Sequence, residues 1–182
     1  MNLKHSISPV PAPLWGANLR KILKPNEWQK LRKSLLAERG CICQTCGLEL
    51  PVSSKVQAHE NWEYDISADP AIAHLKGILL SCWPCHAIEH FGVTTNLVSR
   101  GHLTHRAIDD TIAHFCKLNA ATPEEFETHR KSVFEHWQSQ NELNWIVDWG
   151  EFLDQIQMAF DVVPFSKPVK LSDLEVQKDW IA

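Results

Sequence analysis

Apolar residues recur with helical spacing in three stretches of the chain. From Asn26 to Arg39, Trp28, Leu31, Leu35 and Leu36 share one face, with Asn26 as N-cap, Gln29 at N3 and Gly40 as C-cap. A second stripe runs from Leu103 to Leu118 through Ala107, Ile108, Ile112 and Phe115. Thr122-Pro123-Glu124-Glu125 then opens a third helix, with Thr122 as N-cap, Pro123 at N1 and Glu125 at N3, and its pattern continues through Phe126, Val133, Phe134 and Trp137. A last helix is expected across Trp145 to Phe160. Between the first two stripes the period shortens. Lys55-Val56-Gln57-Ala58 alternates as a brief strand leading into His59-Glu60, and Gly77 to Ser81 reads as a second short strand beyond a loop around Ser67-Ala68-Asp69-Pro70. The predicted fold class is therefore α+β.

Pro9, Pro11 and Pro13 argue against a regular element in residues 1–19, an extended arm that Leu14 and Trp15 could anchor. With 182 residues, 44% of them hydrophobic, the chain has material for one core. The expected organisation is a single domain over 1–182, with the arm at 1–19, a basic helix at 20–40, a compact core at 41–95 and a helical extension at 100–182. No stretch is apolar enough to span a membrane, and no secretory leader follows Met1, so a cytoplasmic protein without membrane contact is expected.

A net charge of -4 argues against nucleic-acid binding through a global positive field. Any such contact must be local. Residues 20–39 hold seven Lys/Arg against two Asp/Glu, which makes Arg20, Lys21, Lys24, Arg32 and Lys33 the first candidates for phosphate contacts, with Arg100 and Arg106 as further clamps. Residues 121–182 hold twelve Asp/Glu against five Lys/Arg, a poor DNA surface but one suited to a protein partner.

Four of the six cysteines form two pairs, Cys43-x-x-Cys46 and Cys82-x-x-Cys85, a spacing that lets four thiolates converge on one tetrahedral Zn²⁺. Cys41 and Cys116 stand outside these pairs, Cys116 on an apolar helical pattern that suggests a buried thiol. His86 follows Cys85 directly, and His90 lies one helical turn further on. A zinc knot at the start of that helix could set His86 and His90 facing His59 to bind a second, reactive divalent cation (Mg²⁺, Mn²⁺ or Zn²⁺). Phosphodiester hydrolysis requires a general base and charge stabilisation, which an imidazole and an imidazole-held cation can supply. Asp65 could cap its loop or orient a histidine. Trp62, Tyr64 and Trp83 read as packing residues before base-stacking platforms, and His74, His102 and His105 lack the spacing of ligands.

Cys43-Gln-Thr-Cys46, Ala58-His59-Glu60-Asn61-Trp62-Glu63-Tyr64-Asp65 and Leu79-Leu80-Ser81-Cys82-Trp83-Pro84-Cys85-His86-Ala87-Ile88-Glu89-His90-Phe91-Gly92 together resemble the zinc-containing HNH endonuclease-like proteins of bacteria and phages. The likeness extends upstream to Pro13–Arg20, Glu27-Trp28 and Arg32, and downstream to Arg100-Gly101. It implies a ββα-metal core with Cys43, Cys46, Cys82 and Cys85 on structural zinc, His59 as water-activating base and His86 on the catalytic cation. His90 becomes an extra ligand and Glu60 a group near the metal; in the alternative, His59 is the ligand and Glu60 the base. The chain departs from the family at two places. Ala58 stands where many members carry an acidic residue or histidine, and Gly77 where the middle asparagine is expected.

Two function classes follow. One is a metal-dependent HNH-type endonuclease cutting DNA, or a structured RNA. The other is a non-catalytic zinc-stapled adaptor for nucleic acid or protein, with Trp137, Trp145, Trp149, Trp180 and the acidic C-terminal helices meeting a protein partner.

Overall fold

A computed structural model describes residues 3–150 and 169–170 of the chain. The fold is mixed α+β. Its strands β1 (Val56–Asp65), β2 (Ala71–Cys82), β3 (Trp145–Asp148) and β4 (Val169–Lys170) lie in the order β1-β2-β3-β4. Both hairpin strands are longer than their sequence patterns suggest. The five residues between β1 and β2 require an antiparallel pair, since a parallel connection needs a longer crossover. The chain divides into two compact units, one of residues 1–9, 39–59 and 80–138, the other of residues 10–38, 60–79 and 139–182.

In the first unit, β2 runs directly into α3 (Trp83–Glu89), with Cys82 in extended conformation as N-cap and Pro84 in the first turn, where its missing N–H costs nothing. Helices α4 (Phe91–Ser99), α5 (Arg106–Asn119) and α6 (Pro123–Gln140) follow, and α5 packs on both α3 and α4. Phe115 from the predicted stripe is fully buried, edge-on to Phe126 at 5.0 Å, and Phe126 meets Phe91 at 5.1 Å. Ile7 and Ile88 complete this cluster. The start of α6 is the predicted capping box: Glu125 N–H donates to Thr122 Oγ1 at 3.2 Å, and Thr122 N–H donates to Glu125 Oε2 at 2.7 Å.

The N-terminal arm is held in this unit by hydrogen bonds. Asn119 Oδ1 accepts the N–H groups of Lys4 (2.8 Å) and His5 (3.1 Å), its amide donates to the His5 carbonyl (2.9 Å), and Ser8 N–H reaches the Glu89 carbonyl (3.1 Å).

In the second unit, α1 (Leu19–Ile22) precedes α2 (Pro25–Arg39). The latter begins two residues earlier than an Asn26 cap implies: Pro25 takes the first helical position, so Asn26 lies inside the helix rather than capping it. Gly40, at φ 71°, follows it as predicted. The arm is not wholly irregular, since Ala12–Leu14 form a single 3₁₀ turn, with Leu14 buried and Trp15 exposed.

The helix expected across Trp145–Phe160 is replaced over its first four residues by β3, which pairs in parallel with β2 from Ala71↔Trp145 to His74↔Asp148. Trp145 and Val147 are buried in alternation, and the sheet supplies the backbone partners that a strand needs and a lone helix does not. Residues 151–160 of that prediction lie outside the described residues. Trp62 packs edge-on against Trp149 at 5.4 Å, and Tyr64 against Trp145 at 5.6 Å. Asp65 caps its loop by accepting Ser67 N–H at 2.9 Å and Ser67 O–H at 2.6 Å.

Candidate metal centres

Among the described residues, two clusters of side chains that could hold a metal ion form in the first unit. In one, the ligand atoms of Cys43, Cys46, Cys82 and Cys85 lie within 4.8 Å of one another. A tight turn carries the first pair: Gly47, at φ 76°, returns its N–H to the Cys43 carbonyl at 2.8 Å, and Cys43 N–H bonds Leu48 O at 2.9 Å. Gln44 ties this turn to β2 twice, donating its N–H to Leu80 O at 2.7 Å and accepting Leu80 N–H on Oε1 at 2.8 Å. The second pair sits at the start of α3. Cys46 and Cys82 sulfurs stand 3.8 Å apart, too far for a disulfide and equal to the edge of a tetrahedron with Zn–S of about 2.3 Å. All six cysteines are free thiols.

The crowded thiols share protons unevenly. S–H groups of Cys82 and Cys85 turned toward Cys43 hold its pKa far below the ordinary thiol value, and contacts with Cys43 and Cys82 push Cys85 up. Such crowding of buried sulfur fits a site that a cation completes. His114 Nε2 approaches Cys85 Sγ from outside at 3.2 Å, and His5 Nε2 bonds the Cys85 carbonyl at 2.9 Å, so two imidazoles brace one ligand.

The other cluster is His59, His86 and His90, whose ligand nitrogens also lie within 4.8 Å of one another. His59 comes from β1 and His86 from α3. His90 caps the C-terminus of α3, and its N–H still bonds the His86 carbonyl at 3.1 Å, so the four-residue spacing keeps both side chains on one side. His90 Nε2 and His59 Nδ1 are 3.1 Å apart, and the ring centroids are separated by 4.6 to 5.4 Å. Burial above all, then the neighbouring His90 and His86, holds the His59 pKa down at about 2, leaving it neutral, the form that binds metal or accepts a proton. Three imidazoles without a carboxylate suit a transition-metal dication better than Mg²⁺, which prefers oxygen. Trp83, 43% exposed, is unlike the packed Trp62 and Tyr64: its ring lies 6.1 Å from that of His86, tilted by 36°.

Glu60 is not among these ligands. As the next residue of a strand its side chain leaves β1 on the face opposite His59. In the second unit it accepts Leu19 N–H at 2.7 Å and the Trp62 indole N–H at 3.1 Å. Burial nevertheless raises its pKa to about 7. Gly77, in place of the family's asparagine, sits in β2 at φ 145°, a backbone conformation that strains any side-chain-bearing residue.

The basic candidates are divided between the units. Arg20 stacks on Trp28 at 5.3 Å, Lys24 and Lys33 are exposed and Arg32 is half-buried, all in the second unit. Lys21 lies in α1, and its side chain is outside the described set. In the first unit Arg100 caps α4, and Arg106 opens α5 with an exposed ion pair to Asp110 at 3.6 Å. Trp145 and Trp149 are buried and Trp137 packs near Phe134, while Trp180 lies outside the described residues. No described helix is long and apolar enough to cross a membrane.

The sequence patterns did not single out Glu89, His5 or His114. For Glu89 the signal was present, three residues after His86 on a helix and therefore on the same face. No spacing rule ties the arm residue His5 to Cys85. Comparison with known proteins returns no matching family model, no matching curated protein and no matching solved structure.

Proposed function

We propose that the protein is a metal-dependent phosphodiesterase of HNH type that cuts DNA. The carrying observation is the convergence of His59, His86 and His90 beside a four-cysteine cluster at the end of a β-hairpin. The succession β1, β2, α3, with one cysteine pair before β1 and the other at the start of α3, supports a zinc-stapled ββα-metal reading. Cys43, Cys46, Cys82 and Cys85 hold structural Zn²⁺ and keep α3 in place. A divalent cation held by His86 and His90 would supply positive charge for the phosphate and the leaving oxygen. His59, neutral and with Nδ1 turned toward the other two rings, would close the cation site in the resting protein and accept the proton of the attacking water once the phosphate's charge raises its pKa from the low value that burial imposes. Arg100 and Arg106 steer phosphates in the first unit, and Arg20, Lys24, Arg32 and Lys33 offer a basic surface in the second. Reduced thiols suit the cytoplasm.

Plasmid nicking by the purified protein tests this, with Mg²⁺, Mn²⁺, Zn²⁺ and EDTA lanes and a His59→Ala control matched for zinc content. The expected result is nicking that EDTA abolishes, that the control lacks, and that Mn²⁺ or Zn²⁺ supports better than Mg²⁺. A well-folded, zinc-loaded protein that leaves the plasmid intact with every ion would favour the adaptor instead.

A further inference from the structure

Glu89 occupies a place in the first unit that the roles assigned so far leave unexplained. It is 7% exposed at the end of α3, and its Oε2 has no hydrogen-bond partner. Two imidazoles face the carboxylate: His59 Nε2 stands 3.1 Å from Oε2, short but out of line for a hydrogen bond, and His5 Nε2 lies 3.8 Å from Oε1. His5 is already engaged, since the same nitrogen bonds the Cys85 carbonyl at 2.9 Å. A buried carboxyl oxygen without a partner is costly, and this one sits against the outer ring edge of His59.

The inner edge of that ring explains why. His59 Nδ1 is 3.1 Å from His90 Nε2, and a neutral imidazole carries one N–H. For Nδ1 to offer its lone pair into the cluster, whether to a cation or to a proton taken from water, the ring hydrogen must sit on Nε2. Glu89 Oε2 is the acceptor within reach of that hydrogen, needing a small rotation of either side chain to come into line.

We propose that Glu89 is the positioning residue of the imidazole cluster: its Oε2 accepts the Nε2–H of His59 and keeps that ring in the tautomer whose Nδ1 faces His86 and His90. This rests on reading the three histidines as a cation site. It also accounts for a carboxylate beside a cluster that has no carboxylate ligand, since outer carboxylates commonly orient metal-facing histidines and their loss costs about tenfold to a hundredfold in metal affinity.

The test uses the full chain with its four-cysteine site zinc-loaded and a second equivalent of Zn²⁺ as the probe. Long-range proton–nitrogen correlation spectra of the imidazoles, with His59 assigned by its absence in His59→Ala, report which nitrogen carries the hydrogen. Wild type is expected to show His59 protonated on Nε2. Glu89→Gln keeps a carbonyl acceptor and is expected to preserve that tautomer with less than a tenfold loss of affinity for the second Zn²⁺. Glu89→Leu, with no acceptor, is expected to lose about tenfold to a hundredfold. Hydrogen on Nδ1 in wild type, or a Glu89→Leu protein that binds the second Zn²⁺ as tightly as wild type, overturns the proposal. Should Glu89→Leu fail to fold, the wild-type tautomer and Glu89→Gln decide it. Absence of nicking with these results as expected would sink the nuclease reading and leave the role of Glu89 standing, whereas a wild type that takes up no second Zn²⁺ overturns both.

Discussion

Glu60→Gln sets burial against hydrogen bonding at a single carboxylate. Two N–H donors, from Leu19 at 2.7 Å and the Trp62 indole at 3.1 Å, favour the ionised form, but loss of water outweighs them and the pKa rises from 4.5 to about 7. Between those values the folded chain keeps a proton that the unfolded chain releases. The stability associated with Glu60 is therefore complete below pH 4.5 and falls as pH rises through 7. A shift of this size corresponds to about 3 kcal/mol at most. Two other groups act in the same range: Glu89, raised to about 8, has the same sign, and His59, lowered to about 2, has the opposite one, its stabilisation being complete above 6.5 and lost on acidification. Subtracting the wild-type curve from that of Glu60→Gln cancels both. The amide does not titrate, but it turns an NH₂ toward one of the two donors, a cost of about 1 kcal/mol at every pH. Urea unfolding followed by tryptophan fluorescence should thus find the variant about as stable as wild type near pH 5 and about 2 kcal/mol more stable near pH 8. A difference curve flat to within about 0.5 kcal/mol would refute the reasoning and mean that the two N–H donors, not burial, govern this carboxylate.

Cys43→Ala, or removal of zinc by a strong chelator, is expected to unfold the first unit, because structural Zn²⁺ in small sites contributes about 10–16 kcal/mol, as much as a whole domain's stability. His59→Ala should instead keep its zinc and its circular dichroism while losing nicking; equal loss of fold in both variants would defeat the division of roles between the two clusters. Ala120 closes α5 at φ 51°, where a Cβ is strained, so Ala120→Gly should raise the melting temperature through a gain of about 1 kcal/mol, and a lowered melting temperature would contradict this. Thr122→Ala removes one half of the capping box at α6 and should cost about 1 kcal/mol in urea unfolding. Phe115→Ala empties the centre of the aromatic cluster and should cost about 3–5 kcal/mol, with a smaller loss indicating that Phe91 and Phe126 close the gap.

Local chemistry was legible along the chain. The capping box at Thr122, the glycine after α2, the stripe that buries Phe115 and the paired cysteines are each set by neighbours within a few residues, where backbone geometry dictates which side chains meet. The convergence of His59 on His86 and His90 was also expected, since the cysteine pairs limit how the hairpin can meet the helix that follows. Trp145–Asp148 was misread because alternating and helical patterns are indistinguishable over so short an apolar run; the edge of β2 decides it as a parallel strand, a partner far away in sequence.

Spacing along the chain set the two cysteine pairs, the capping box of α6 and the α+β class. Tertiary structure alone decided the environments. It left one oxygen of Glu89 unpaired against His59, brought His5 from the arm to the Cys85 carbonyl, and placed His114 against the Cys85 sulfur. It also engaged Glu60 with Leu19 and Trp62 in a buried site. Burial and hydrogen-bond direction depend on residues tens of positions apart, and no periodicity in the chain records them.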